Sequence, residues 1–237
     1  MRCQKAMKTL IVGASGAIGR AVSLAFREDE LLLHANRGRE TLTRMMETEK
    51  LQAELIICDL SDRAEVEKWV SSIDTVDRIV YVAGHALHGL VVDQSVDELD
   101  RLYEVHVRAM VRLIQSVVAR KPYDYRLDIV VVSSVWGEVG AAAEVFYSTV
   151  KAAQLGFVKA FAREAGPFNV RINAVTPGWI DTPMNDTVEE SKQTVMDDIP
   201  LGRLGTTEDV AKTIRFLCSS DASYMTGTVL RIDGGWQ

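Results

Sequence analysis

Residues 10–20 read Leu-Ile-Val-Gly-Ala-Ser-Gly-Ala-Ile-Gly-Arg, an apolar run followed by three spaced glycines and the start of a helical pattern. The first glycine permits a sharp turn off a strand, the second a close approach by a ligand, and the third tight packing of helix on strand. A helix that begins at such a turn points its free amide groups at an anion. This stretch therefore predicts a pyrophosphate-binding loop formed by Gly13, Ser15, Gly16, Ala17, Ile18 and Gly19.

Short apolar runs alternate with helical patterns along the rest of the chain. The predicted strands are residues 9–12, 31–34, 54–57, 78–82, 128–132, 171–174 and 229–232. The predicted helices are residues 18–27, 40–49, 63–72, 96–120, 147–165 and 207–218. Repeated β-α-β units favour an α/β fold with a doubly wound, mostly seven-stranded parallel sheet and helices on both faces. We expect one α/β domain over residues 8–237, after a loose extension at residues 1–7.

The bulk composition describes an ordinary globular protein. The 237 residues carry a net charge of −6, with Lys and Arg scattered along the chain, which argues against nucleic acid or an anionic membrane as a partner. No apolar run approaches the roughly 20 residues that span a bilayer. Cys3, Cys58 and Cys218 form no metal pattern, and their odd number suits a reducing cytoplasm.

The end of the second predicted strand bears on the choice of cofactor. It reads His-Ala-Asn-Arg at residues 34–37, where an acidic residue would select NAD by binding the ribose 2′-hydroxyl. No acid is present, and the Arg37 guanidinium suits a 2′-phosphate, with Arg20 as a second cation. We therefore predict NADP(H) in preference to NAD(H), bound partly by Asn36 and Arg37. The alternative is that Arg37 is a solvated loop residue.

Three polar side chains stand out just past the middle of the chain: Ser134, Tyr147 and Lys151. Tyr147 and Lys151 are four residues apart, so they share one face of a helix, and Ser134 ends a predicted strand. An adjacent ammonium favours the phenolate and lowers a tyrosine pKa toward the range of an acid–base catalyst. A hydroxyl, a phenol and an ammonium together predict a site that donates a proton to a carbonyl oxygen.

Ser134 followed by Tyr147-x-x-x-Lys151 resembles the short-chain dehydrogenase/reductases, and the glycine loop is similar to the T-G-x-x-x-G-x-G loop of that family. Val12 replaces the threonine, and the middle glycine stands at 16 rather than 17. The resemblance implies a Rossmann fold and hydride transfer between a nicotinamide and a carbonyl carbon. It also implies that Tyr147 supplies the proton, Ser134 binds the carbonyl oxygen, and Lys151 holds the nicotinamide ribose and lowers the tyrosine pKa.

Later segments resemble the same family and imply further cofactor contacts. The pair Asp59-Leu60 after the third strand implies adenine binding, and the end of the fourth strand implies a close backbone approach to the cofactor. The segment at residues 173–182 is similar to N-x-x-x-P-G-x-x-x-T and implies nicotinamide contacts. Tyr81 and Val82 replace two asparagines of the family pattern. Residues 182–200 are predicted to form a mobile substrate lid. The implied contacts are Asp59, Leu60, Ala83, Gly84, Pro177, Gly178, Ile180 and Thr182.

His106 occupies the position where the family usually has an asparagine that holds a proton-relaying water chain. An imidazole can relay protons, since its ordinary pKa is near ~6.5. The alternative is that His106 only packs. His85 and His88 are predicted to line the mouth of the pocket, without a metal.

The sequence leaves several substrates possible. The tail from Ile199 to Trp236 resembles the 3-oxoacyl-[acyl-carrier-protein] reductases, which implies a homotetramer, or a homodimer, acting on a small or carrier-linked ketone. A narrower likeness is to the reductases of the 5-aminopentanone group on elongation factor P. The rivals are a non-catalytic NADP-binding sensor and an NAD-dependent alcohol dehydrogenase. The residues predicted to line the substrate pocket are His85, Trp136, Glu138, Glu144 and Trp179.

Overall fold

A computed structural model describes residues 6–185 and 192–237. Most of the predicted N-terminal extension, residues 1–5, lies outside the described residues, as do residues 186–191 of the predicted lid. The domain limits and the mobility of the lid stay predictions.

All seven predicted strands are present, and they form one parallel sheet in the order β3-β2-β1-β4-β5-β6-β7. The order reverses between β1 and β4, as expected of a doubly wound sheet. Their bounds are β1 (Lys8–Val12), β2 (Glu30–Ala35), β3 (Ala53–Ile57), β4 (Arg78–Tyr81), β5 (Leu127–Val132), β6 (Val170–Pro177) and β7 (Val229–Ile232).

The six predicted helices are also present, and the described residues contain two further α-helices that were not predicted. Trp136–Val139 and Lys192–Asp198 are too short to show a helical period in the sequence. The α-helices are α1 (Ala17–Ala25), α2 (Arg39–Glu49), α3 (Arg63–Ser72), α4 (Val96–Tyr103), α5 (Ala109–Arg120), α6 (Trp136–Val139), α7 (Val145–Ala165), α8 (Lys192–Asp198) and α9 (Thr207–Leu217).

The prediction of one uninterrupted α-helix over residues 96–120 is wrong at its middle. A π-helical turn, Glu104–Arg108, joins α4 to α5 without a break in direction. A π-turn adds one residue to a helical turn, so the apolar pattern on either side still has the period of a helix. The turn holds His106, and such turns occur often at functional sites.

Alternate residues of the central strands enter two separate cores, one on each face of the sheet. Leu10, Ile79 and Ile129 belong to one core, whereas Ile11 and Val80 belong to the other. Every residue of β5 is buried, as the continuous apolar run predicted for a strand covered on both faces. Burial on both faces fixes the register of these strands, because a slip by one residue would exchange the two cores.

The carboxyl ends of β1 and β4 lie side by side, with Val12 opposite Tyr81. The connections after these strands run to opposite sides of the sheet, so a crevice opens between them. Ligands of open α/β sheets bind in such crevices. Within residues 6–185 and 192–237, no helix combines the length and the apolar character that crossing a bilayer requires.

Candidate active site

The turn after β1 requires glycine at two positions for steric reasons. Gly13 has a φ of 87°, and a Cβ added there would lie 2.6 Å from backbone atoms of Ala83. A Cβ on Gly19 would lie 2.2 Å from the Gly13 carbonyl oxygen. Gly16 differs, because the nearest atom to its added Cβ is the Gly13 oxygen at 3.5 Å. Gly13 and Gly19 therefore shape the loop, whereas Gly16 leaves room beside it.

Helix α1 begins at Gly16 with no side chain capping its first amide groups. These amides open on a cavity of about 890 Å³. The first amides of α1 are uncapped, and beside them lies a space that a Cβ on Gly16 would fill. Such an arrangement fits the pyrophosphate of a dinucleotide. The predicted cofactor residues that line this cavity are Gly13, Ser15, Gly16, Ala17, Ile18, Gly19, Asn36, Arg37, Asp59, Leu60, Ala83, Gly84 and Thr182.

Arg37 is exposed and lines the cavity at the end of β2. Arg20, the proposed second cation, donates from Nη1 to the Ser15 carbonyl oxygen at 2.7 Å, so it also braces the loop. Arg101, which no sequence motif indicated, lines the same cavity from α4. Burial raises the pKa of the Asp59 carboxyl, but the Ser61 amide and hydroxyl donate to Asp59 Oδ1 at 2.9 Å and 2.7 Å, and the net effect is a lowered pKa.

His34 is a buried residue of the cofactor site that sequence reasoning missed. The Gly13 amide approaches its Nδ1 at 3.3 Å, and Nε2 lies 3.1 Å from the Cys58 carbonyl oxygen. The ring stacks on Trp69 with centroids 4.6 Å apart. Burial lowers the pKa of His34 to about 4. The neutral ring that accepts at Nδ1 and donates from Nε2 therefore joins the glycine loop to the end of β3.

Ser134, Tyr147 and Lys151 meet at a second cavity of about 520 Å³. Ser134 Oγ accepts a hydrogen bond from the Trp136 amide at 3.2 Å, and the Lys151 ammonium lies 5.5 Å from the centre of the Tyr147 phenol ring. Lys151 Nζ also donates to the Val132 carbonyl oxygen at 3.0 Å, and Ser133 Oγ donates to the Lys151 carbonyl oxygen at 2.9 Å. These bonds attach the face of α7 that carries Tyr147 and Lys151 to the end of β5.

The two cavities adjoin, because both are lined by Ile18, Val82, Gly84, Thr182 and Met184. The smaller cavity is also lined by three predicted nicotinamide contacts, Pro177, Gly178 and Ile180. A dinucleotide held at the glycine loop would thus extend toward the Ser134, Tyr147 and Lys151 side chains.

His106 lies beneath Gly84 and lines neither cavity. Its ring meets Tyr147 edge-on with centroids 5.8 Å apart, and its Nε2 lies 3.1 Å from both the amide and the carbonyl oxygen of His85. Burial and the Lys151 ammonium hold the pKa of His106 well below its ordinary value. The ring is therefore neutral at neutral pH.

Three tryptophans form one wall of the smaller cavity. The Trp136 and Trp236 rings lie 5.1 Å apart, and those of Trp179 and Trp236 lie 6.2 Å apart. Glu144 adds a half-buried carboxylate that faces His88 Nδ1 at 3.6 Å. Burial raises the pKa of the Glu144 carboxyl, and His88 opposes that increase. The sequence did not point to Trp236, because it follows β7 far from the other two rings in the chain.

Two of the predicted substrate-pocket residues lie elsewhere. Glu138 does not line the cavity, because its carboxylate pairs with Arg231 at 2.7 Å and ties α6 to β7. That ion pair lowers the pKa of Glu138. His85 lines the larger cavity, on the cofactor side, whereas His88 lines the smaller one.

A family model described as enoyl-(acyl carrier protein) reductase matches residues 13–237. A 3-oxoacyl-[acyl-carrier-protein] reductase of Thermotoga maritima is 35% identical over 235 residues, which cover 95% of this chain and 96% of the relative. The chain belongs to the short-chain dehydrogenase/reductases.

Other members of the short-chain dehydrogenase/reductases match as closely in length. An uncharacterized oxidoreductase of Bacillus subtilis, YmfI, is 38% identical, over 96% of this chain and 97% of its own. A solved short-chain dehydrogenase/reductase of Serratia marcescens superposes with a TM-score of 0.89 at 26% identity, covering 98% of each chain. A blue fluorescent protein from a metagenomic library, solved in complex with NADPH, has the same TM-score at 27% identity and covers 98% of each chain. The chain is thus an oxidoreductase that uses a nicotinamide cofactor.

Tyr147, the predicted proton donor, departs from expectation in the pKa of its phenol. We predicted that Lys151 lowers the pKa of Tyr147, but burial raises that pKa, the Glu144 carboxylate adds to the increase, and Ser134 opposes it. Burial also lowers the pKa of Lys151, to about 7. The phenol is therefore protonated at neutral pH, as a proton donor requires.

At the end of β4, Tyr81 and Val82 stand where the family pattern has two asparagines. Tyr81, which stands for one asparagine, is fully buried and donates its hydroxyl to the Val105 carbonyl oxygen at 2.5 Å. This bond braces β4 against the π-turn. The departure thus changes the hydrogen-bonding partner at this strand end and keeps a brace in place.

Proposed function

We propose that this protein is an NADP(H)-dependent reductase that converts a ketone to a secondary alcohol. The observation that carries the proposal is the convergence of Ser134, Tyr147 and Lys151 on a cavity that adjoins the glycine-loop cavity. A proton-donating phenol, a hydroxyl beside it and an adjoining dinucleotide cleft suit the addition of hydride and proton across a C=O bond.

The residues of this chain have separable tasks in the proposed reduction. A nicotinamide bound in the adjoining cleft would supply the hydride for the carbonyl carbon. Tyr147 holds the proton on its phenol oxygen and gives it to the carbonyl oxygen as negative charge develops there. Ser134 hydrogen-bonds that same oxygen and stabilises the charge. Lys151 is held by Val132 in a position to bind the ribose hydroxyls of the cofactor, and its charge favours the phenolate that remains.

The proton that leaves Tyr147 must be replaced from solvent. The His106 ring meets the Tyr147 ring edge-on, and its Nδ1 has no hydrogen-bond partner within the described residues. We propose that His106 relays this proton; the alternative is that its ring only packs against its neighbours. A His106→Phe variant separates the two, because loss of a relay slows turnover without weakening NADPH binding.

The direct test of the proposed function is an NADPH-consumption assay with two substrates, an acetoacetyl thioester and a small amino-ketone. Oxidation of NADPH with formation of the matching alcohol supports a ketone reductase. Tight NADPH binding without turnover of either substrate, or of a wider ketone panel, would instead favour the non-catalytic sensor. Faster alcohol oxidation with NAD than ketone reduction with NADPH would favour the alcohol dehydrogenase.

A basic ketone, such as the 5-aminopentanone group on elongation factor P, is the second candidate substrate. The lining of the smaller cavity favours this substrate. Among the described residues that line it, Glu144 is the one acidic side chain, and none is an arginine. A carboxylate beside indole rings suits an ammonium group, through ion pairing and cation–π contact. Most 3-oxoacyl substrates need no such carboxylate.

Replacing Glu144 with Gln distinguishes the two substrates. For a cationic ketone we expect KM to rise about tenfold or more, since a charge-assisted contact contributes roughly 1.5–3 kcal/mol. The KM for the acetoacetyl thioester should change little. An equal effect on both substrates would show that Glu144 does not recognise an ammonium group.

Arg37→Ala tests the proposed preference for NADP(H). Loss of the guanidinium should raise the Kd for NADPH roughly 10- to 100-fold, the equivalent of a charge-assisted contact of about 1.5–3 kcal/mol. The Kd for NADH should stay the same, because NADH lacks the 2′-phosphate. Arg39→Ala, an exposed cation two residues away that does not line the cavity, is the matched control. An unchanged NADPH Kd in Arg37→Ala would contradict the preference.

The assembly and the compartment remain part of the proposal. The likeness to 3-oxoacyl-[acyl-carrier-protein] reductases supports a homotetramer, which sedimentation of the purified protein tests. Cys58 and Cys218 are buried free thiols, which accords with a reducing cytoplasm.

A further inference from the structure

Three buried side chains lie on one face of α7. Tyr147, Lys151 and Gln154 occupy positions i, i+4 and i+7, and all three are almost inaccessible to solvent. The first two belong to the proposed site, whereas Gln154 does not line either cavity. A fully buried amide is unfavourable unless it makes hydrogen bonds. Its partner therefore indicates what Gln154 does.

Gln154 reaches across to the π-turn. Its Nε2 donates to the His106 carbonyl oxygen at 2.8 Å, in a bond buried from solvent. The preceding carbonyl, that of Val105, accepts the Tyr81 hydroxyl. A π-turn disturbs the regular helical bonding, so its carbonyls are open to other donors. Two consecutive carbonyls of the turn are thus bonded by side chains from α7 and from β4.

The π-turn in turn contacts the catalytic centre on two sides. The His106 ring lies edge-on to Tyr147, as described above. On its other side the ring is in contact with Gly84, where an added Cβ would lie 2.4 Å from His106 Cε1. Gly84 lines both cavities. A shift of the turn would therefore displace both the phenol and the floor of the cofactor cleft.

We propose that Gln154 is a positioning residue for the reduction: by bonding the His106 carbonyl it fixes the π-turn against α7, and so sets the place of Tyr147 and Lys151 relative to the cofactor cleft. The proposal rests on the proposed function, since it concerns the geometry of that reaction. Gln154 touches no reacting atom and acts through the π-turn.

Gln154→Met removes this interaction with little change in side-chain volume. The Gln154 Oε1 atom has no hydrogen-bond partner among residues 6–185 and 192–237, so the bond to His106 is the one lost. We expect kcat to fall about 10- to 100-fold, because a displacement of about 1 Å can slow an oriented reaction by that much. The KM for the ketone and the Kd for NADPH should stay within about twofold.

A second readout does not depend on activity. Hydrogen–deuterium exchange of the protein without cofactor should show faster exchange at residues 104–110 in Gln154→Met than in the wild type. Tyr125→Phe is the matched control, because it removes a hydrogen bond to Asp77 Oδ1 of 2.6 Å at the amino ends of the strands. This control should change neither kcat nor exchange at the π-turn.

The outcomes separate the positioning role from the proposed function. A wild-type protein that reduces no ketone would contradict the proposed function, and the exchange measurement would still test the brace. An active wild type with an unchanged kcat in Gln154→Met, or with unchanged exchange at residues 104–110, would overturn the positioning role. So would a fall in kcat accompanied by equal increases in KM and in the NADPH Kd, since that pattern means general loosening.

Discussion

Replacing Tyr147 with Phe should lower kcat for ketone reduction by about 10³-fold, within the range that proton transfer by a positioned side chain contributes. The variant removes one oxygen atom from a buried ring and keeps the packing against His106. Without the phenol, the carbonyl oxygen must take its proton from water. Of the proposed side chains Ser134, Tyr147 and Lys151, Ser134 is then the one that still carries a hydroxyl. The Kd for NADPH should change less than threefold, because the phenol acts on the substrate.

Single-turnover measurement of NADPH oxidation, with NADPH binding followed separately, checks this expectation. Tyr103→Phe is a suitable control, because Tyr103 is half-exposed on α4 and does not line either cavity. A Tyr147→Phe variant that retains more than a tenth of the wild-type rate would mean that another group donates the proton. His88, which lines the same cavity, would then be the next residue to replace.

The second large effect concerns the glycine loop. Gly16→Ala should raise the Kd for NADPH at least about 30-fold while the protein stays folded. Gly16 has φ −67° and ψ 163°, an extended conformation that alanine adopts freely, and its added Cβ makes only an ordinary contact within the protein. The same methyl group occupies the space beside the first amides of α1, where the pyrophosphate would bind.

Gly19→Ala is the informative comparison for this prediction. Its Cβ would collide with backbone atoms of Gly13 and Ala14, so the loop must shift and the melting temperature should fall. Gly16→Ala should lower the melting temperature by only about 2–4 °C, since alanine at a helix N-cap is less favourable than glycine by about 1 kcal/mol. Equal NADPH affinity in Gly16→Ala and the wild type would contradict the placement of the pyrophosphate.

The parts of the fold that the sequence predicts are those with a local period or a local steric requirement. The strand β5 is recognisable because both of its faces are buried, so that an unbroken apolar run replaces alternation. The loop of Gly13 and Gly19 is recognisable because no other residue fits its backbone. Tyr147 and Lys151 are recognisable because helical spacing alone places them on one face.

The features that escaped prediction depend on contacts between distant segments. Glu138 looks like a pocket residue in the sequence, and only the position of Arg231 in β7 shows that its carboxylate is already paired. The expected decrease in the Tyr147 pKa considered the neighbouring lysine and ignored burial, which is the larger effect. The roles of His34 and Gln154 are likewise visible only once their backbone partners, Gly13 and His106, are located.

The position of β1 between β2 and β4 also has a consequence for the order of folding. Thr9 pairs with Leu31 on one side and with Arg78 on the other, so one edge of β1 stays without its partner until β4 has been synthesised. Parallel pairing between such distant segments is slow, and an open apolar edge in the meantime can pair with another chain. We therefore expect that fragments ending before β4 aggregate, and that refolding of the whole chain is limited by the docking of β4 beside β1.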